Sequence, residues 1–244
     1  MGLFHTEENS NYRYGIWKIE EDESELELLS GCLAPARITN SLRRLEYLAV
    51  RALSKKMGVD PAGILYHTSG KPYHENGEFR ISISHTKKYV AFMVSNLELA
   101  AIDIETKSER ILKIRKKFMS LTEENNLSDS GYDIVTGLLL HWCAKESMFK
   151  AVNYEGIDFI EEFQILDFSK GCHPSKGGMA SLSGGREDLV LRDAIPPKEG
   201  WHPLREEVTL NKGTFKAVAL RDGSIFEIDY LIDQDFVFTC CFSK

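Results

Sequence analysis

The stretch "HWCAKESMFKA", residues 141–151, reads as a helix that carries charges where its core should be. At about 100° per residue, Leu138, Leu139, Trp142, Phe149 and Val152 form one apolar stripe, and Lys145 and Glu146 fall within or against it. A carboxylate shielded in this way needs a cation or strong donors, and a metal ion would supply the charge. Lys150, one turn further on, stands at the rim of the stripe, where an ammonium can meet a phosphate. In isolation the segment also fits an ordinary Glu-to-Lys pair at i, i+4.

Three stretches toward the N-terminus bear on the same question. In "AIDIE", residues 101–105, strand alternation points Asp103 and Glu105 to one face and Ile102 and Ile104 to the other. Two adjacent carboxylates repel unless a cation lies between them, and a hard divalent ion with oxygen ligands is the usual solution. A solvated acidic edge strand fits this short alternation as well. "ISISHT", residues 81–86, ends a strand in Ser84, His85 and Thr86, which can hold a phosphate or simply make a turn. "GKP", residues 70–72, presents Lys71 in a loop ahead of a strand. No DxH or ExxH spacing makes His85 a zinc ligand. Together, three carboxylates and several phosphate-compatible groups suggest magnesium-assisted chemistry on a phosphate ester or anhydride.

Around these motifs the chain alternates helical and strand patterns. "YRYGIWKIE" reads as the opening strand, and a helical region runs over about 35–57, closing at Gly58. Turn-punctuated strands follow over about 63–96, then the strand 99–105, a basic helix in "SERILKIRKKFMSLTEENNL" and a helix over about 131–152. "FQILDF", "GTFKAVAL", "IFEIDYLI" and "VFTCCFS" return to strands, while 169–203 reads as an irregular surface excursion with some β structure. Helices precede strands in each half, which suggests an α+β protein of two similar subdomains, 1–99 and 100–244, the second carrying the metal and catalytic motifs.

Composition narrows the class. With 244 residues, 43% hydrophobic and 27% charged, the chain can bury a core without staples, and no apolar run approaches the roughly 20 residues that span a bilayer. The N-terminus lacks the apolar core of a signal peptide, so a soluble cytoplasmic protein is expected. Cys32, Cys143, Cys172, Cys240 and Cys241 are odd in number and without CxxC spacing, against both a disulfide framework and a structural zinc site. A net charge of −7 argues against nucleic-acid binding.

"GKPY", "ISISHT", "AIDIE" and "WCAKESMFKA", in this order and at these separations, resemble the 4′-phosphopantetheinyl transferases of the larger two-subdomain type. The family pattern is GKP, a hydrophobic-Ser-His motif, G-(I/V)-D-(I/V)-E, and W-x-x-K-E-(S/A)-x-x-K. The match runs over about 43–152. This resemblance implies a pseudo-dimeric fold with the active site in the cleft between the subdomains. It implies transfer of the phosphopantetheine arm of coenzyme A to a serine of an apo acyl, peptidyl or aryl carrier protein, with release of 3′,5′-ADP. On matching positions, Asp103, Glu105 and Glu146 would hold Mg²⁺. Glu146, or a metal-bound water beside it, would take the serine proton, and Lys150 would stabilise or protonate the leaving phosphate. Lys145 would reach the same phosphates or snorkel from the stripe. Ser84, His85 and Lys71 would grip the coenzyme A phosphates, joined by Arg43, or alternatively Arg44. Two departures stand out: Ser82 replaces a frequent Asn, and Ala101 replaces the usual Gly beside the metal strand.

Carrier proteins are usually acidic, as this chain is, so docking needs a local basic surface. Arg110, Lys113, Arg115, Lys116 and Lys117 supply one just after the metal strand, although the same charges also suit a plain solvated helix face. A monomer is the most economical assembly. Two other readings share these residues: a metal-dependent phosphodiesterase or pyrophosphatase acting on coenzyme A, and a noncatalytic module that binds coenzyme A or a carrier protein.

Overall fold

The computed structural model describes residues 2–152, 154–166, 168 and 210–243. The chain is α+β, as expected from its patterning. One antiparallel sheet has the order β1-β2-β6-β5, from β1 (Leu3–Glu8), β2 (Tyr12–Lys18), β5 (Arg80–Thr86) and β6 (Tyr89–Ser95). A second has the order β7-β11-β10-β9-β8, from β7 (Leu99–Thr106), β8 (Phe163–Leu166), β9 (Asn211–Ala219), β10 (Ser224–Ile232) and β11 (Phe236–Ser243). A small hairpin joins β3 (Ile64–Tyr66) to β4 (Pro72–His74).

Strand alternation explains how the sheets stack. Tyr12, Tyr14 and Ile16 of β2 face Ile102 and Ile104 of β7 and Phe236, Phe238 and Cys240 of β11, forming a core between the sheets. The opposite face of the first sheet packs against α2 (Ser41–Lys56), whose Leu48, Ala49 and Leu53 are buried. A side chain at Gly15 would come within 2.8 Å of Leu53, so this approach requires glycine. The opposite face of the second sheet packs against α5 (Ile134–Ala151) through Leu140, Cys143, Ala144 and Met148.

Several elements differ from the sequence reading. "YRYGIWK" is the second strand, because Leu3–Glu8 pairs with it as an edge. The acidic segment after it holds α1 (Glu23–Ser30), nucleated by a capping box between Asp22 and Glu25 and anchored by the fully buried Leu26. The helix expected from residue 35 starts at Ser41, where Asn40 caps the Arg43 N–H. The basic helix is broken: α3 (Arg110–Ile114) passes into a 3₁₀ turn, Arg115–Lys117. A new helix, α4 (Leu121–Asp129), then begins at the Ser120–Glu123 capping box. Phe118, wholly buried, fixes the break. The last helix among the described residues, α6 (Phe159–Glu162), is a single turn.

The apolar stripe proposed for α5 is also incomplete, because Phe149 is 42% exposed whereas Lys145 is 0% exposed. This helix is enclosed on most of its circumference, so a single-stripe projection does not describe it. The excursion expected over 169–203, including Cys172, lies outside the described residues. Cys32, Cys143, Cys240 and Cys241 are free thiols. Among the described residues no helix is long and apolar enough to cross a membrane.

Candidate active site

The sheets meet along β5 and β7 through side chains instead of a backbone ladder. Ser82, Ser84 and Thr86 alternate along β5, and their hydroxyl oxygens accept the backbone N–H groups of Ile102, Ile104 and Thr106 at 3.1, 3.3 and 3.3 Å. Ser84 Oγ then donates to Asp103 Oδ1 at 2.8 Å. The serine expected to grip a phosphate is thus buried and orients a carboxylate. His85, next along β5, points to the other side, toward α2.

Asp103 and Glu105 share the face of β7 that looks onto α5, while Ile102 and Ile104 enter the intersheet core. Lys150 Nζ donates to Asp103 Oδ1 at 2.6 Å and to the Ile102 carbonyl at 3.2 Å. Trp142 Nε1 donates to Glu105 Oε1 at 3.2 Å. Burial, followed by the charge of Asp103, pushes Glu105 and Glu146 up to about 7 each. Three carboxylates therefore sit close enough to oppose one another's ionisation, with one lysine among them.

The donor chemistry of these side chains suits a hard divalent cation. Asp103 Oδ2 is buried without a hydrogen-bond partner, which is costly for a carboxylate oxygen, and the donor set consists of oxygens alone. Among the described residues, however, no group of three or more His, Cys, Asp or Glu side chains is placed to hold a metal ion as the side chains stand. The ammonium of Lys150 instead neutralises Asp103 directly.

Lys145 does not join this cluster, a correction to the sequence reading. Its Nζ donates to the Phe118 carbonyl at 2.6 Å, to Glu123 Oε2 at 2.9 Å and to the Phe159 carbonyl at 3.1 Å, which uses all three donors. No reach toward a phosphate remains, nor does the side chain snorkel.

A cavity of about 590 Å³ lies beside α2, lined by Arg37, Arg43, Glu46, Tyr47, Arg51 and His85 among others. Arg43 faces it, whereas Arg44 is tied to Glu23 at 2.5 Å and to the Pro35 and Ile38 carbonyls. Geometry thus separates the two arginines. Arg51 lies over the Tyr47 ring, 3.4 Å from its centroid. Lys71 sits in the β3–β4 hairpin between two cavity-lining residues, Gly70 and Pro72, and burial lowers its pKa. Sequence reasoning missed Arg37, Glu46 and Arg51. The i, i+3 spacing of Arg43 and Glu46 was the available signal, but it is indistinguishable from a surface pair without knowledge of β5.

Residues 100–180, which carry β7 and α5, match the family model of the 4′-phosphopantetheinyl transferase superfamily. The family resemblance holds. Over 103 residues the chain is also 34% identical to a 4′-phosphopantetheinyl transferase of Bacillus subtilis, a match covering 41% of this chain and 46% of that relative. The chain thus spans just under half the length of the relative it matches. Both Asp103 and Glu146 fall inside the stretch matched by the superfamily.

Proposed function

We propose that this protein transfers the 4′-phosphopantetheine arm of coenzyme A to a serine of an apo carrier protein, acyl or peptidyl, in the manner of a holo-acyl-carrier-protein synthase. One observation carries the reading: Asp103, paired with Lys150, lies near enough to Glu105 and Glu146 to oppose their ionisation, and its Oδ2 is buried without a hydrogen-bond partner. The two halves, 1–99 and 100–244, would form one cleft, with His85 and the α2 cavity on one side and the carboxylates on the other. A monomer working in the cytoplasm suffices for such a site.

Mg²⁺ held by Asp103, Glu105 and Glu146 would polarise the pyrophosphate of coenzyme A when bound. The protein's own groups do the rest. Arg43, His85 and Lys71 hold the phosphates. Glu146 takes the proton of the incoming serine hydroxyl. The serine oxygen bonds to the phosphorus bearing the pantetheine arm, the anhydride bond to the other phosphorus breaks, and 3′,5′-ADP departs. Lys150 donates a hydrogen bond to the leaving phosphate as its charge develops.

The carrier would dock on the segment 110–117, where Arg110, Lys113, Lys116 and Lys117 are exposed and Arg115 pairs with Glu124 at 3.3 Å. Charge reversal at Lys113 and Lys117 should raise the KM for carrier protein without changing coenzyme A affinity.

Intact-mass spectrometry of a panel of apo carrier proteins, incubated with the enzyme, coenzyme A and Mg²⁺, tests the reaction. A gain of roughly 340 Da, the mass of the transferred arm, that disappears in Glu146→Ala and Lys150→Ala supports it. Cleavage of coenzyme A without any gain would instead favour a hydrolase, and binding without cleavage a noncatalytic module.

A further inference from the structure

The buried acid of the α2 cavity has no place in the chemistry above. Glu46 has a side chain only 5% exposed, yet it lies between two groups that are 59% and 38% exposed, Arg43 and His85. Its Oε2 accepts from Arg43 Nη1 at 2.9 Å and lies 3.5 Å from His85 Nδ1. Arg43 Nη1 is itself 3.1 Å from the same imidazole nitrogen. Two flexible groups from different elements, a helix and a strand, are therefore gathered on one immobile carboxylate.

The charge of Glu46 is otherwise misplaced. Among the described residues lining the cavity it is the one acid, beside Arg37, Arg43 and Arg51. In a cavity for an anionic ligand, an extra negative charge weakens binding through Coulomb repulsion alone. Its presence is explained if the carboxylate is needed to fix the donors that face the ligand.

We infer that Glu46 is a positioning residue that preassembles Arg43 and His85 as one anion-gripping pair for the phosphates of coenzyme A. The inference rests on the proposed coenzyme A site and deepens it. Without Glu46, the long arginine side chain recovers its rotamer freedom, and this freedom must be lost again on each binding event.

The test exploits an opposition of sign. Glu46→Gln keeps the volume and removes the charge, so simple electrostatics predicts tighter coenzyme A binding, whereas positioning predicts weaker binding. We expect Kd for coenzyme A, by calorimetry, to rise about tenfold, the scale of one lost charge-assisted hydrogen bond. Glu46→Asp, which keeps the charge but shortens the reach, should also weaken binding, whereas electrostatics alone predicts no change, so it tests the role if Glu46→Gln does not fold. KM for carrier protein and the thermal midpoint should not move. In an Arg43→Met, His85→Ala background, Glu46→Gln should no longer weaken binding. Unchanged or tighter binding in Glu46→Gln with both partners present would overturn the positioning role. Failure of the wild-type protein to bind coenzyme A would instead remove the coenzyme A reading itself.

Discussion

Helix α5 buries two acid–base arrangements from adjacent residues, Lys145 and Glu146, and they obey opposite rules. On the Lys145 side every valence is met. Glu123 accepts from Lys145, from the Ser120 N–H at 2.9 Å and from the Ile165 N–H at 2.9 Å, while Lys145 spends its three donors on one carboxylate and two carbonyls. On the Glu146 side, three carboxylates share Lys150, and one oxygen of Asp103 has no partner. A satisfied buried pair fixes structure, because nothing in it can gain from a newcomer. An unsatisfied one leaves a charge that a cation would stabilise, which suits the metal-dependent transfer proposed above.

The largest expected effects are on activity and belong to the unsatisfied cluster. Glu146→Gln and Lys150→Ala should each lower kcat for carrier modification by about 10³, equivalent to about 4 kcal/mol of transition-state stabilisation. Circular-dichroism melts should show both variants folded. If either variant lost its fold together with its activity, the distinction between the clusters would collapse, because Glu146 or Lys150 would then be structural as well.

Next in size is the satisfied pair. Lys145→Met leaves the Glu123 carboxylate buried without its ammonium and should destabilise the protein by about 3 kcal/mol. Combining it with Glu123→Gln should restore part of this loss, since no charge is then left buried and unpaired, although the single amide oxygen can accept from only one of the Ser120 and Ile165 N–H groups. Urea denaturation of the four proteins in this cycle measures the coupling. The coenzyme A Kd of Lys145→Met should match wild type, and a large rise would return Lys145 to the binding site.

What the sequence revealed about these clusters follows the same division. The placement of Asp103, Glu105 and Glu146 was legible because strand alternation and helix angle are local rules: the first set two carboxylates on one face of β7, and the second set Glu146 against the apolar stripe of α5. The role of Lys145 was not legible. Its partners, Glu123, Phe118 and Phe159, lie 14 to 27 residues away, and two of them contribute only carbonyls, which carry no sequence signature. Ser84 shows the same limit: its hydroxyl suits either a phosphate or a carboxylate, and only the meeting of β5 with β7 decides between them. The α+β class followed from period-2 and period-3.6 patterns. The edge strand Leu3–Glu8 and the helix Glu23–Ser30 escaped because each buries few residues, and Leu28 of that helix is 82% exposed.

A pH titration sharpens the comparison with a somewhat smaller effect. In metal-free protein the folded-state pKa of Glu146 is raised from 4.5 to about 7, so the unfolded chain releases this proton first as pH rises. The group therefore costs nothing below about 4.5 and opposes folding increasingly toward 7. Glu146→Gln should match wild-type stability near pH 4.5 and exceed it above pH 7 by about 2 kcal/mol, after allowance for partial solvent screening. Mg²⁺ at saturating concentration should erase this advantage by stabilising the wild-type carboxylates. A stability difference independent of pH would show that the carboxylates do not strain one another.

Ser84→Ala probes the link between the two sheets and should have the smallest effect. It removes the donor to Asp103 Oδ1 and the acceptor for the Ile104 N–H, and both groups are buried. A stability cost of about 1–2 kcal/mol is expected, that of leaving a buried N–H unmatched. The consequence for function depends on what the hydroxyl serves. If Ser84 orients Asp103, the variant should need more Mg²⁺ for half-maximal activity while its coenzyme A Kd at saturating Mg²⁺ stays near wild type. Should the hydroxyl instead grip a phosphate, as the sequence motif implied, coenzyme A affinity would fall at every Mg²⁺ concentration. Titrating both ligands against the variant therefore separates the two roles. Thr86→Val, which removes only the Thr106 contacts at the end of the same strand, supplies the control for general loosening of the sheet junction.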